Sequence, residues 1–322
     1  MFKKLALAVA ATAALGAVAQ DFPTRNITMV VPYAAGGPTD TVARVLAQAM
    51  TKPMGQTVVV ENKGSAGGLV GAESVKSAKP DGYTILIHHI GMATTPTLYR
   101  KALRFNPVQD FEYIGLVNEV PMTIIGKPGF QPNNAKELVA YMKANKDKVT
   151  YANAGIGAAS HLCGMLFMSA AGVDVLTVPY KGTGPAMNDL LGGQVDFMCD
   201  QTTSTTGQIK GGKVKVYGIT SSKRVSSLPD VPTLDEQGIK GGEVAIWHGL
   251  YAPKGTPKAV IDKLVAGLQA ALKEPSVLQR YSDLGAVTFP ADKQTPAALE
   301  AHLKAEIAKW APIIQKAGVY AD

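Results

Sequence analysis

The chain has 322 residues, a formal net charge of +7 and only two cysteines, Cys163 and Cys199. Two cysteines are too few for a disulfide framework or a cysteine-rich metal site. The lysines and arginines are scattered rather than interleaved with aromatic residues, which argues against a nucleic-acid partner. Mild basicity suits long-range attraction of small anions, and it is equally typical of an ordinary solvated surface.

The first 20 residues have the features of a secretory signal peptide. Lys3 and Lys4 precede an apolar run over residues 5–16, and Ala17-Val18-Ala19 before Gln20 fits a small-x-small cleavage site. The run is short and rich in alanine, and it offers no cysteine for a lipid anchor. We predict a signal peptide over residues 1–19 and a soluble exported protein, the alternative being an amphipathic first helix of a cytosolic domain.

In an exported protein two thiols tend to be oxidised. Cys163 falls near the start of a predicted helix, and Cys199 ends a strand-like run in the same half of the chain. We predict a disulfide that ties these two elements together. The alternative is a pair of buried thiols that act as small hydrophobic side chains.

Strand-like and helix-period segments alternate along the chain. The first half predicts strands and helices in the order β-α-β-α-β at 27–31, 40–50, 57–61, 69–77 and 83–87. After strand-like runs at 111–116 and 122–126 the alternation resumes, with helices at 135–144, 161–171 and 185–191 and strands at 149–152, 176–178, 195–198 and 214–220. This alternation predicts two α/β lobes with mostly parallel sheets.

The C-terminal part is predicted to be helical, at 257–273, 275–284 and 295–317, after a strand-like run at 247–253. It holds too few strands for a third sheet, so we expect it to return to the first lobe and pack around it. The chain then crosses between lobes near 121–127 and 244–253. Such crossings make a hinge, and ligands of two-lobed α/β proteins usually bind in the cleft beside it.

Two glycine-rich turns each join a strand to a helix, PYAAGGP at 32–38 and NAGIGAAS at 153–160. A helix start carries unpaired backbone N–H groups and the positive end of the helix dipole, so it favours a carboxylate or phosphate. Two such turns predict an anion held from both sides. In the first turn we expect Gly37 as the N-cap and Pro38 at the first helical position. Asp40 then caps backbone donors, the alternative being direct ligand contact.

The second turn resembles a dinucleotide fingerprint but lacks its third glycine and the later acidic residue, so we predict no NAD and no other cofactor. Asn153, Ser160 and the neighbouring amides remain donors for a carboxylate, while His161 serves either as a cap or as a ligand contact. The P-loop-like spacing at 207–213 closes a helix rather than opening one. Adjacent His88 and His89 are expected on opposite strand faces, and we predict no metal site and no catalytic residues.

Five motifs in chain order closely resemble the solute-binding subunits of tripartite tricarboxylate transporters, also called the Bug family. They are VVPYAAGGPTD at 30–40, VENKGSAGG at 60–68, PDGYT at 80–84, VPYKG at 178–182 and DLLGGQVD at 189–196. The resemblance covers almost the whole mature chain. It implies a type II-like periplasmic-binding-protein fold, with lobe 1 formed by 20–123 plus 248–322 and lobe 2 by 124–247.

The same resemblance implies a periplasmic, non-enzymatic, monomeric receptor that closes on a small carboxylate and delivers it to membrane permease subunits. Ligand-contacting positions carried over from the family are Tyr33, Ala34, Ala35, Gly36, Gly37, Ala66, Gly67, Asn153, Ala154, Gly155, Gly157, Ser160, Tyr180 and Asp200. Gly91, Met92, Gln201 and Thr202 would meet the far end of the ligand. Tyr180 and Asp200 are equally consistent with packing and strand-end roles.

This chain departs from the family pattern at Cys163, Cys199 and the pair His88-His89, which stand where small, polar or apolar residues are common. Ligand candidates are C4-dicarboxylates, citrate-like acids, acidic amino acids and aromatic carboxylates. Two other functions fit the same cleft: a secreted enzyme acting on a carboxylated substrate, and a ligand-sensing subunit for a membrane kinase. An enzyme needs a matched acid–base pair, whereas these motifs supply chiefly amides and glycines.

Overall fold

A computed structural model describes residues 22–321 of the chain. Its strands are β1 (Ile27–Val31), β2 (Val58–Asn62), β3 (Thr84–His89), β4 (Phe111–Gly126), β5 (Thr150–Asn153), β6 (Leu176–Pro179), β7 (Phe197–Gln201), β8 (Lys215–Ile219), β9 (Ala245–Pro253) and β10 (Val287–Thr288). Its α-helices are α1 (Pro38–Met54), α2 (Leu69–Lys76), α3 (Gly91–Leu98), α4 (Ala135–Ala144), α5 (Ala159–Ala171), α6 (Thr183–Leu191), α7 (Thr202–Lys210), α8 (Lys258–Lys273), α9 (Pro275–Asp283) and α10 (Pro296–Ala317).

The strands form one curled, mixed sheet with the order β2-β1-β3-β9-β4-β7-β5-β6. At one end β1 pairs in parallel with β2 and β3, and at the other end β5 pairs in parallel with β6 and β7. The sequence alternation predicted these parallel units. Between them β9 pairs antiparallel with β3 and β4, a pairing of segments too distant in the chain for alternation to reveal.

Strand β4 is continuous over 16 residues, where the sequence predicted two separate strands. Its first part, up to Pro121, pairs with β9, and its second part, from Met122, pairs with β7 and β8. Proline has no N–H to donate to a ladder, and Pro121 lies where the pairing partner changes. Thus β4 links the first strand group (β1, β2, β3, β9) to the second (β5, β6, β7, β8).

The C-terminal helices pack against the first strand group, since α8 contacts α1 and β4 and α10 contacts α3 and β4. Helix α8 buries one face through Leu264, Leu268 and Leu272. This i, i+4, i+8 spacing places the three leucines on a single stripe, and each buried leucine contributes about 1.5–3 kcal/mol. The Tyr281 hydroxyl of α9 donates to the Val42 carbonyl at 3.0 Å, which joins this tail to α1.

The sequence does not predict α3, and it predicts only the C-terminal end of α7. Both segments are poor in helix-forming residues. Helix α3 contains Pro96, and α7 begins with five residues that are all threonine or serine. Tertiary contacts override these weak propensities. The prediction that the 207–213 segment closes a helix is confirmed, since Gly211 is the C-cap of α7.

Cys163 in α5 and Cys199 in β7 form a disulfide with a Cα–Cα distance of 6.1 Å, as predicted. The bond closes a segment with a sequence separation of 36, which in the chain-entropy model stabilises the fold by about 4 kcal/mol. The predicted signal peptide lies outside the described residues. Within residues 22–321 no helix has both the length and the apolar character needed to cross a bilayer.

Candidate functional site

A cavity of about 20 Å³ lies between the two strand groups. It is lined by Tyr33, Gly37, Pro38, Thr39, His89, Ala154, Ala158, Ala159, Ser160, Thr183, Asp200 and Gln201. The first five belong to the first strand group and its connections, and the other seven to the second group. The volume is enough for about one water molecule.

Four helices begin at this cavity, and their N-caps are Gly37 (α1), Ala158 (α5), Gly182 (α6) and Gln201 (α7). None of these N-caps satisfies the helix with a side-chain hydrogen bond. First-turn N–H groups without such a cap, together with four positive dipole ends, create a potential that favours an anion. The sequence predicted two of these helix starts, those of α1 and α5.

The N–H groups within the glycine-rich turns have partners inside the protein. Gly36 N–H donates to Asp40 Oδ2 at 3.0 Å, Ala154 N–H to Ser160 Oγ at 2.8 Å and Gly155 N–H to Asn153 Oδ1 at 2.8 Å. The expectation that these turns present bare N–H groups is therefore wrong at these three atoms. Short polar side chains accept hydrogen bonds from these three N–H groups, because such side chains stabilise turns by binding nearby amides.

Asp40 has the structural role preferred from the sequence. Burial alone would raise the pKa of its carboxyl, but hydrogen bonds from the Arg44 guanidinium, Gly36 N–H and the Asn62 amide lower it. Arg44 Nε lies 3.0 Å from Asp40 Oδ2. Gly37 and Pro38 occupy the predicted N-cap and first helical positions.

Six of the positions carried over from the family line the cavity: Tyr33, Gly37, Ala154, Ser160, Asp200 and Gln201. Ala35 and Gly36 line a separate surface groove beside α6 and α7.

The other predicted positions have local partners. The Tyr180 hydroxyl donates to Asp189 Oδ2 at 2.6 Å. Ala66 and Gly67 belong to a 3₁₀ turn, where a Cβ on Gly67 would approach the Tyr99 ring to 2.7 Å. His161 Nδ1 accepts from Gly157 N–H at 3.3 Å, which supports the capping alternative for this histidine.

The second strand group contributes polar atoms that lack protein partners. Asp200 is 1% exposed, and its Oδ1 accepts from Gln201 N–H at 2.9 Å, whereas Oδ2 has no well-formed hydrogen bond. Burial raises the pKa of Asp200 to about 7, although Gln201 N–H and the nearby Thr183 and Ser204 hydroxyls oppose the shift. Thr183 Oγ1 and Gln201 Oε1 are buried without partners as well. This wall can therefore offer both donors and acceptors.

The first strand group contributes an aromatic cluster of Tyr33, His88, His89 and His248. Tyr33 stacks on His89 with ring centroids 4.6 Å apart, and the rings of His88 and His248 contact His89 edge-on at 5.2 and 5.9 Å. Burial lowers the pKa of His88 and of His248 to about 3. The expectation that His88 and His89 point to opposite strand faces is wrong, because their rings contact each other edge-on.

Direct contacts join the two groups around the cavity. Ala34 N–H donates to the Lys181 carbonyl at 3.3 Å, and Thr94 Oγ1 donates to the Gly157 carbonyl at 3.1 Å. A Cβ on Gly184 would lie 2.6 Å from the Ala35 carbonyl oxygen. The walls therefore approach too closely here for even a methyl group.

Several cavity residues were not assigned from the sequence: Pro38, Thr39, His89, Ala158, Ala159 and Thr183. Pro38, Ala158 and Ala159 lie inside the two glycine-rich turns and Thr39 directly follows the first, so assigning each turn as a whole with the next residue would have included them. Thr183 follows Gly182 at the start of α6. This is a third strand-to-helix turn, which the prediction of two glycine-rich turns did not include. His89 has no such signal, since only the sheet brings the end of β3 to the cavity.

These features define the class: a two-lobed α/β protein with the periplasmic-binding-protein fold. The family model described as "Tripartite tricarboxylate transporter family receptor" matches residues 42–319. The chain belongs to this family of solute-binding receptors, as its motifs predicted.

Solved structures agree with this assignment. The periplasmic binding protein BugD is 57% identical, with a TM-score of 0.91 over 94% of this chain and 100% of that one. MatC from Rhodopseudomonas palustris, solved with bound malate, is 38% identical, with a TM-score of 0.87 over 91% and 100% of the two chains. A further R. palustris protein, solved with adipate, is 30% identical, with a TM-score of 0.87 over 93% and 99%.

Proposed function

We propose that this protein is exported to the periplasm, captures a small carboxylate between its lobes and delivers it to the permease subunits of a tripartite tricarboxylate-type transporter. The observation that carries the proposal is the meeting of four helix N-termini, none capped by its N-cap side chain, at one cavity. Relatives solved with malate and adipate support the carboxylate as ligand class.

The cavity walls provide the anion contacts without an arginine or lysine side chain. Ser160 Oγ accepts from Ala154 N–H, which leaves its own hydroxyl proton free to donate toward a ligand. Thr183 supplies a further hydroxyl without a partner. Hydrogen bonds from neutral donors to a carboxylate are charge-assisted and stronger than those to a neutral acceptor.

Capture requires the lobes to separate, because a cavity for about one water molecule cannot admit a carboxylic acid from solution. We assign residues 20–123 plus 248–322 to one lobe and 124–247 to the other, with hinges near 121–127 and 244–253. Opening breaks contacts such as Ala34 N–H to Lys181 O. A ligand that binds both walls at once stabilises the closed form, and the membrane partner recognises that form.

A thermal-shift series tests this function. We expect the Tm to rise with at least one of L-malate, succinate, adipate, citrate and L-aspartate, because a ligand at 100 times its Kd adds about 2.7 kcal/mol of stability. The amide of the same acid, with every carboxylate converted to a carboxamide, is the control and should give no shift. No shift with any of the five acids, or an equal shift with the amide, contradicts the proposal.

Delivery and catalysis need separate measurements. Deleting the gene should abolish cellular uptake of the acid that binds, and uptake that persists unchanged contradicts the transport role.

Asp200 is the one observation that favours the alternative function of an enzyme, since a carboxyl with a pKa of about 7 suits general acid–base chemistry. Incubation of the acid with the protein, followed by NMR, should show no new species.

A further inference from the structure

We propose that His89 is an additional ligand-contacting residue whose Nε2–H donates a hydrogen bond to a carboxylate oxygen of the captured acid. The inference rests on the proposed carboxylate-binding function. His89 lies outside all five motifs that carry the family resemblance.

The hydrogen bonds of His89 determine its tautomer. Nδ1 accepts from the Gly91 N–H at 3.0 Å, so in the neutral ring the proton is on Nε2. The ring lines the cavity, and among residues 22–321 nothing is hydrogen-bonded to Nε2. A donor is thus directed to the space where an anion is expected.

The ring is held rigidly in this orientation. Tyr33 stacks on it with an interplanar angle of 12°, and His88 and His248 pack against it at 84° and 81°. The backbone N–H of His89 donates to His88 Nδ1 at 2.8 Å. His248 in turn is held by Asn118 Oδ1 at 2.9 Å and by the Thr39 hydroxyl at 3.3 Å. A fixed donor binds a ligand with little further loss of entropy.

The groups around His89 keep its ring neutral. The facing titratable groups are Tyr33 in the turn after β1, His88 on β3, His248 on β9 and, from the second lobe, Asp200 on β7; the N-termini of α1 and α5 add positive potential. Burial, His88 and His248 lower the pKa of His89, so the free protein holds a neutral ring. An imidazolium would carry a second N–H on Nδ1, facing the Gly91 N–H, so the donor in the complex is the Nε2–H of the neutral ring. His89 should therefore give binding no dependence on pH between 6 and 8.

Two substitutions test the donor. His89→Asn keeps an acceptor for the Gly91 N–H, at the place of Nδ1, but removes the cavity donor. His89→Gln places an amide N–H where Nε2–H was, but it does not titrate. The matched control is His302→Gln, since His302 packs edge-on against Trp247, away from the cavity lining.

Calorimetry with whichever of the five acids shifts the Tm most provides the measurement, at pH 6, 7 and 8. We expect His89→Asn to weaken affinity at least tenfold at all three values. His89→Gln, which restores a neutral donor, should stay within threefold of wild type at all three values. His302→Gln should match wild type throughout.

Wild-type affinity in a folded His89→Asn variant overturns the contact, and if that variant does not fold, affinity more than tenfold below wild type in His89→Gln does so. Asp200→Asn is measured alongside, because Asp200 can take up a proton when an anion binds. A pH dependence of the wild-type affinity that persists in Asp200→Asn and disappears in His89→Gln contradicts a neutral His89 ring. A wild-type protein that binds none of the acids overturns the proposed function itself, a different result.

Discussion

The two walls of the cavity differ in how many helices begin in them. In the first-lobe wall only α1 of the four helices begins, and stacking and hydrogen bonds to His248 and to the Nδ1 atoms of His88 and His89 hold the rings. The Tyr33 hydroxyl and His88 Nε2 of this wall have no partner. In the second-lobe wall Thr183, Asp200 and Gln201 keep buried atoms without partners, and three of the four helices begin there. We infer that the second lobe provides most of the anion-binding capacity, while the first provides a rigid surface against which it closes.

The walls should also respond oppositely to pH, and the histidine wall gives the largest expected effect. His88 and His248 have folded pKa values of about 3, below the ordinary value of 6.5, so the unfolded chain binds more protons between these values. Stability is therefore present above pH 6.5 and is lost as pH falls toward 3, by about 1.4 kcal/mol per pH unit for each histidine. Urea unfolding between pH 7 and 4 measures this loss. A double variant, His88→Gln with His248→Gln, should lose less stability over that range, and an equal loss contradicts the assignment.

Asp200 should contribute the reverse dependence, of about 4 kcal/mol in total, because its folded pKa of about 7 lies some three units above the ordinary value of 3.8. The folded state then binds more protons between pH 4 and 7, so stability falls as pH rises through this window. Asp200→Asn should be more stable than wild type at pH 8 and closer to it at pH 4. Urea midpoints at both pH values test this. An Asp200→Asn variant that is less stable than wild type at pH 8 would mean that the folded state stabilises the ionised carboxylate, which contradicts the raised pKa.

Closure of one wall on the other is tested by Gly184→Ala, with a smaller expected effect. Gly184 is within α6, where alanine favours the helix by about 1 kcal/mol, yet the added Cβ meets the Ala35 carbonyl oxygen at 2.6 Å. We expect an unchanged or raised Tm without ligand and an affinity reduced about 30-fold, equivalent to about 2 kcal/mol. The matched control is Gly207→Ala in α7, where a Cβ meets nothing within 4 Å. Equal affinities in the two variants would mean that binding does not require this approach of the lobes.

Local rules predicted the parallel β-α-β units, the cap at Gly37 and the roles of Pro38 and Asp40, because each depends on a few neighbouring residues. Motif order also identified the family, and export combined with two cysteines predicted the disulfide. Continuous β4 and its antiparallel pairing with β9 could not be predicted this way, since they join segments more than 100 positions apart.

The candidate site likewise has features that local sequence determines and features that only the fold determines. The sequence by itself determined that glycine-rich turns open two helices and that an anion would be favoured there, since N-terminal dipoles and unpaired amides are local properties. Only the tertiary structure decided that four helix starts meet and that His89 and Asp200 share one cavity. Packing among residues distant in the chain sets this arrangement and the pKa values of the buried groups, and no spacing along the chain encodes that environment.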